Sequence, residues 1–148
     1  MINDSIKTTG EVTIMLRDGN GNIKVQRTVP NLVVTTGKNV IASRLAGTTS
    51  AVMSHMALGT NSSGVVAGNT ALGSEIVASS TALTSTTVVD NVITYIATFI
   101  AGAGTGAVVE AGIFNAASAG SMLCRTVFAV VNKDPADSLT ISWAVTIA

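Results

Sequence analysis

An all-β fold is what this chain predicts: a jelly-roll-like β-sandwich of about eight or nine strands, with one short helix near residues 36–46. Turn signals recur at roughly ten-residue spacing. Apolar residues alternate with small hydroxylated ones over long runs. The most regular is C-terminal, where Leu139, Ile141, Trp143, Val145 and Ile147 interleave with Thr140, Ser142, Ala144 and Thr146; period two is the strand repeat. Between Arg44 and Arg125 lie 80 residues with no lysine or arginine, whose only acids are Glu75, Asp90 and Glu110 and whose only histidine is His55. The length of 148 residues fits one domain, 1–148, with residues 1–10 as an extended N-terminal arm.

The first unit is a hairpin. Val12, Ile14 and Leu16 alternate with Thr13, Met15 and Arg17, and Ile23, Val25 and Arg27 alternate with Lys24 and Gln26. Between them Asp18-Gly19-Asn20-Gly21 supplies the positive φ angles of a tight turn. Pro30 ends the second strand, having no N–H to give to a ladder. In the helix, Thr35 or Thr36 is the expected cap and Gly47 the terminator; Val40, Ile41 and Leu45 turn inward while Lys38 and Arg44 stay in water. Residues 53–58 read as a strand carrying His55. Its end, Ala57-Leu58-Gly59-Thr60, recurs loosely at Ala71-Leu72-Gly73-Ser74, too few copies for a solenoid. Residues 61–69 form a long loop with Val65 and Val66 at its middle, unusual residues to offer to solvent.

Beyond that loop, residues 75–89 are extended, and Asp90-Asn91 is a two-residue turn. Ile93, Tyr95, Ala97 and Phe99 form one face of the next strand. A glycine loop, 101–106, precedes strands at 108–115 and 122–131, and 132–137 make the last turn. All five aromatics (Tyr95, Phe99, Phe114, Phe128, Trp143) lie after residue 94. That distribution puts the main core in the C-terminal strands and leaves the N-terminal hairpin and helix peripheral or partner-facing.

Composition bounds the function. The chain is 47% hydrophobic and 11% charged, where an average domain carries about 25% charged residues. Mean hydropathy is +0.55. So few charges leave apolar surface on an isolated subunit, which marks a member of an assembly; the alternative is a small domain covered by Ser and Thr. Net charge is zero and the cations are scattered, against direct nucleic-acid binding. Residues 1–7 lack the basic start and apolar core of a signal peptide. The most apolar window, 93–114, is broken by four glycines, so no membrane-spanning helix is expected.

Chemistry finds little footing. His55 has no positioned nucleophile motif beside it, and no Gly-x-Ser-x-Gly elbow is present. Cys124, the sole cysteine, sits in a β-like run and reads as a buried, inert thiol. One His and one Cys cannot build a zinc site. Asp18-Gly19-Asn20-Gly21-Asn22 lacks the later Glu of a calcium loop. Gly102, Gly104 and Gly106 lie between strands, where a phosphate cradle would need a following helix. The expectation is no enzyme, no cofactor, no metal and no small-molecule substrate.

Several stretches carry a resemblance. Residues 31–45, NLVVTTGKNVIASRL, resemble an opening found in small virion proteins of tailed phages. His55-Met56-Ala57-Leu58-Gly59-Thr60 is similar to their "I-A-L-G-T" strand, Asn69-Thr70-Ala71-Leu72-Gly73-Ser74-Glu75 to their "D-T-A-L-G-x-E" segment, and Glu110-Ala111-Gly112-Ile113-Phe114-Asn115 to an "E-A-G-(I/L)-F-(N/D)" block. The likeness runs over residues 31–148. Thr35-Thr36 and Asn69 depart from the pattern. The resemblance implies a structural part of the particle, most like a capsid cement (decoration) protein. Such a protein binds the outside of the shell, clamps neighbouring major capsid subunits and forms a homodimer or homotrimer. A tail, collar or fibre-adaptor protein is the alternative. The expected partner contacts are Ile2 and Ile6 in the arm and Val65 and Val66 in the loop.

Overall fold

The computed structural model describes residues 4–48 and 50–148. Its elements are β1 (Thr8–Arg17), β2 (Ile23–Pro30), β3 (Leu32–Val33), α1 (Thr35–Leu45), β4 (His55–Gly59), β5 (Thr81–Ala82), β6 (Ser85–Val89), β7 (Val92–Phe99), β8 (Gly106–Phe114), β9 (Met122–Lys133) and β10 (Ser138–Ile147). They form two antiparallel five-stranded sheets, ordered β2-β1-β10-β7-β6 and β3-β9-β8-β4-β5. This is the all-β sandwich with one short helix that the patterning predicts. Strands number ten because β3 and β5 are two residues long, too short to leave a periodic trace in a sequence.

Alternation decides which side chains enter the core. Val12, Ile14 and Leu16 of β1, Tyr95, Ala97 and Phe99 of β7, and Leu139, Ile141, Trp143 and Val145 of β10 meet Met56 and Leu58 of β4, Val108, Ala111 and Ile113 of β8, and Cys124, Phe128 and Val131 of β9 in one apolar cluster. Burial of each such aliphatic side chain contributes about 1.5–3 kcal/mol. Trp143 lies wholly inside, and its Nε1 has no hydrogen-bond partner among the described residues. The N-terminal hairpin is therefore not peripheral, contrary to the expectation drawn from the aromatics. β1 is hydrogen-bonded along its whole length to the C-terminal strand, from Thr8↔Ile147 to Arg17↔Ser138, and its buried side chains are aliphatic. The arm expected over 1–10 is correspondingly shorter: Thr8 to Gly10 belong to β1, and the backbone of Lys7 pairs with that of Ala148.

The N-cap of α1 lies just before the two threonines expected to supply it. Val34 is the N-cap and makes no side-chain cap bond. Instead the Thr35 N–H donates to the carbonyl of Ala67, 2.8 Å away in the long loop, so tertiary structure does what a threonine hydroxyl was expected to do. The C-terminus follows expectation. Gly47 has φ +71°, its N–H donates to the Arg44 carbonyl and that of Thr48 to the Ser43 carbonyl, which is a Schellman closure. The inward face is narrower than the spacing suggests. Gly37 and Val40 are buried and Ile41 partly so, but Leu45 is 80% exposed. Leu45, at the last turn, lies between two surface grooves instead of in the core.

One corner of the sandwich is polar. Lys24 Nζ lies 2.8 Å from Asp137 and 3.0 Å from Asp134. Lys133, buried, donates to the carbonyls of Asp137 (2.7 Å) and Ile100 (3.0 Å). The Lys24 ammonium, and then the Asp134 N–H, hold the Asp137 carboxyl below its ordinary 3.8, while burial pulls the Lys133 ammonium down. A carboxyl depressed on folding stabilises the fold fully above its unfolded value, and loses that contribution as pH falls through the folded one.

Asp137→Asn should therefore lower the melting temperature at neutral pH but flatten its dependence between about pH 5 and pH 2 relative to the parent, read by circular dichroism. Gly37→Ala tests the seating of α1. A Cβ at that position would come within 2.1 Å of the Leu123 carbonyl oxygen on β9. The helix would have to lift, so a loss of about 1–3 kcal/mol in urea denaturation is expected.

Candidate interaction surface

The second sheet hides an ion pair on its outer face. Along β8, Ala111 and Ile113 enter the core, so Glu110, Gly112 and Phe114 point the opposite way. Arg125 of β9 stands opposite Gly112 and reaches Glu110 with Nε at 2.8 Å and Nη2 at 2.7 Å from Oε2. Both side chains are buried. What buries them is the segment 60–75, which crosses this face and bonds to the pair. The N–H groups of Asn61 (3.2 Å), Gly73 (3.0 Å) and Ser74 (2.8 Å) donate to the Glu110 carboxylate. Arg125 donates to the carbonyls of Ser63 (3.1 Å) and Asn61 (3.4 Å) and to Asn69 Oδ1 (3.3 Å). Gly59 makes room: a Cβ there would lie 2.3 Å from Glu110 Oε1. Further along this face Leu72 packs on Val34, Ala57, Phe114 and Met122.

The residues weighed for chemistry are dispersed. His55 is half-buried on β4, with Nδ1 2.8 Å from the Ser54 hydroxyl. Cys124 is in the core, where burial drives its thiol well above the usual range. Asp18 spends its carboxylate on its own turn, accepting from the N–H groups of Asn20 (2.9 Å) and Asn22 (3.0 Å) and from the Asn22 amide (3.2 Å). The glycine loop joins β7 to β8, with no helix after it. Among the described residues no three His, Cys, Asp or Glu gather as metal ligands, and no helix is long and apolar enough to cross a membrane.

The exterior is where the chain is distinctive. The outer face of the first sheet carries aligned rows of small hydroxylated and apolar side chains: Thr13, Ser142, Ile96 and Ser85, then Met15, Thr140 and Thr98. Its edge strand β6 exposes Val88 and Val89 and contains no charge and no proline, so its free edge offers unblocked backbone groups.

Two apolar grooves flank α1. A groove of about 460 Å³ lies between the N-terminal arm and the helix, lined by Ile6, Lys7, Lys38, Ile41, Ala42 and Leu45 together with Thr8 and Thr9. A second, of about 390 Å³, lies on the other side of the Ile41–Leu45 ridge, over Val52, Ile93, Tyr95, Leu123 and Ile147. They share Ile41 and Leu45, so the two form one continuous surface.

Of the four expected contact residues, Ile6 lines the first groove and is exposed; Ile2 lies outside the described residues. Val66 is exposed and Val65 half-buried at a loop tip outside both grooves. Leu45, Val52 and Ile147 were missed: Leu45 by being assigned to the core, Val52 because its segment has no periodicity, Ile147 because it continues an inward-facing row past the point where the core ends. Glu110 and Arg125 were also missed as a pair. The signal available was that they are the only acid and only base between Asp90 and Lys133.

Comparison with protein-family models, with curated proteins and with solved structures finds no match to this chain.

Removing either member of the pair leaves a buried charge and several loop N–H or carbonyl groups without partners. Glu110→Gln or Arg125→Met should each cost about 3–5 kcal/mol in chemical denaturation, with the double substitution costing less than the sum. Additive losses would mean that the two side chains act independently.

Proposed function

We propose that this chain is a structural virion protein of a tailed phage: a capsid cement protein that binds the outer shell and clamps neighbouring major capsid subunits. The observation that carries the reading is that three of the four blocks through which the chain resembles small virion proteins converge in space. Gly59, Asn69, Gly73, Ser74, Glu110 and Gly112 come from three separate stretches, and all meet at the Glu110–Arg125 pair. A likeness spread over residues 31–148 thereby falls on one folded unit rather than on unrelated fragments. The exterior supports the same reading, being poor in charge and carrying an apolar surface along α1, as expected of a subunit whose affinity is summed over many shallow contacts. The exposed, uncharged β6 edge suits contact between copies in a homodimer or homotrimer.

The test is electron cryo-microscopy of DNA-filled capsids from the encoding phage, incubated with purified protein. Density repeated over the whole shell is expected. Density confined to one vertex would favour a tail, collar or fibre-adaptor role, and absence from the particle would end the virion reading. Light scattering addresses self-association: two or three copies are expected, and a monomer at high concentration would count against it.

A further inference from the structure

The surface along α1 pairs apolar floor with one sign of charge. Ile6 is 72% exposed, Leu45 80% and Val52 59%. Around them stand Lys7 on the arm and Lys38 and Arg44 on the helix, the only charged side chains lining either groove. None of the three makes an ion pair among the described residues. No acid of the described residues lines either groove. Arg44 donates one hydrogen bond to the Ser50 carbonyl (3.1 Å) and keeps its charge unpaired among the described residues; Lys24, Arg125 and Lys133 are committed to the two polar networks, Arg17 to its turn, and Arg27 to the carbonyls of Ala129 and Val130.

We infer that the paired grooves beside α1 dock a segment of a partner protein in which apolar side chains are flanked by carboxylates. The apolar side chains cover Ile41, Leu45 and Val52, and the carboxylates meet Lys7, Lys38 and Arg44. Charge complementarity selects this occupant. A second copy docking by the same face would bring three cations against three cations, which disfavours that pairing. In the shell-binding reading, on which the partner's identity rests, the segment belongs to the major capsid protein; its chemistry follows from the grooves alone.

Two synthetic peptides with the same apolar residues test this, one with glutamate at every polar position and one with lysine, followed by fluorescence anisotropy on the whole chain. The glutamate peptide should bind at least about tenfold more tightly, and more weakly as salt rises. Leu45→Glu and Lys38→Glu, both at exposed positions, should each abolish that preference while leaving the melting temperature unchanged. Equal binding of the two peptides, binding of neither, or full binding by Leu45→Glu would overturn the inference. So would a shift of an oligomer to monomer in Leu45→Glu, which would make the surface a self-contact, or capture of anionic phospholipid vesicles without peptide selectivity. Capsid binding separates the two readings. Capsids that retain Leu45→Glu as well as the parent remove the grooves and leave the cement role standing. A parent that takes the glutamate peptide but ignores capsids does the reverse.

Discussion

The Glu110–Arg125 pair is the constraint around which the second sheet is organised. Taking both charges out of water costs several kcal/mol per ion, and their attraction offsets this only when the remaining oxygens and N–H groups are also satisfied. Here they are, by a segment that has almost no regular structure of its own. The backbone of 60–75 pairs with itself at only a few points, such as Thr60 N–H to the Ser74 carbonyl and Asn69 N–H to the Val66 carbonyl, and it also pairs with the two side chains, three N–H groups to the carboxylate and two carbonyls to the guanidinium. A connection that would otherwise be a mobile loop is thereby fixed as a lid on an outer sheet face. Apolar burial could not do this alone, because it would leave the loop's polar groups unpaired against the sheet.

The same economy explains the exterior. The chain has eight basic and eight acidic side chains, and two of each sign are buried: Glu110, Asp137, Arg125 and Lys133. A sequence already short of charge therefore presents still less of it to solvent. Serine and threonine rows on the first sheet fill part of the gap, as in the Thr98–Thr140 hydroxyl contact, so the alternative of a hydroxyl-covered domain is partly correct. It fails at α1, where Ile6, Leu45 and Val52 stand open. Two kinds of surface coexist on one sandwich, one hydroxylated and flat, one apolar and rimmed by cations.

Much of the fold was legible in the sequence because period-two patterning survives wherever a strand has one face in the core. β1, β7 and β10 show it plainly, and the Asp18–Gly21 and Asp90–Asn91 turns were marked by residues that tolerate positive φ, as Gly21 and Asp90 do. β8 and β9 were harder. Both of their faces are covered, so Glu110 and Arg125 interrupt the pattern without being exposed. A local reading treats a charge as solvated; only the lid contributed by residues fifty positions away in sequence, such as Asn61, makes the interior assignment correct. The helix was misjudged for a related reason. Its 3.6-residue spacing gave the right face, but how far along that face burial extends is set by tertiary packing: Gly37 and Val40 are buried, whereas Leu45 is open. Of the expected contacts, Ile6 was visible as an apolar residue in a polar arm, whereas Leu45 was disguised by perfect helical phase.

The loop also links the ion pair to the helix. Its middle reaches α1, where the Ala67 carbonyl accepts the Thr35 N–H that no side chain caps. On the other side Gly37 sits against the Leu123 carbonyl, and Val34 donates to that same oxygen. The start of α1 is thus fixed from two directions, by β9 and by a loop that is itself held by Glu110 and Arg125. In the C-terminal half, Arg44 and Leu45 are exposed. A root held by hydrogen bonds and an exposed tip suit the docking proposed for this helix, since a segment already ordered loses less entropy on binding than one that must fold onto its partner. The buried charges therefore act at a distance from the proposed docking surface, through the loop that bonds to the start of the helix.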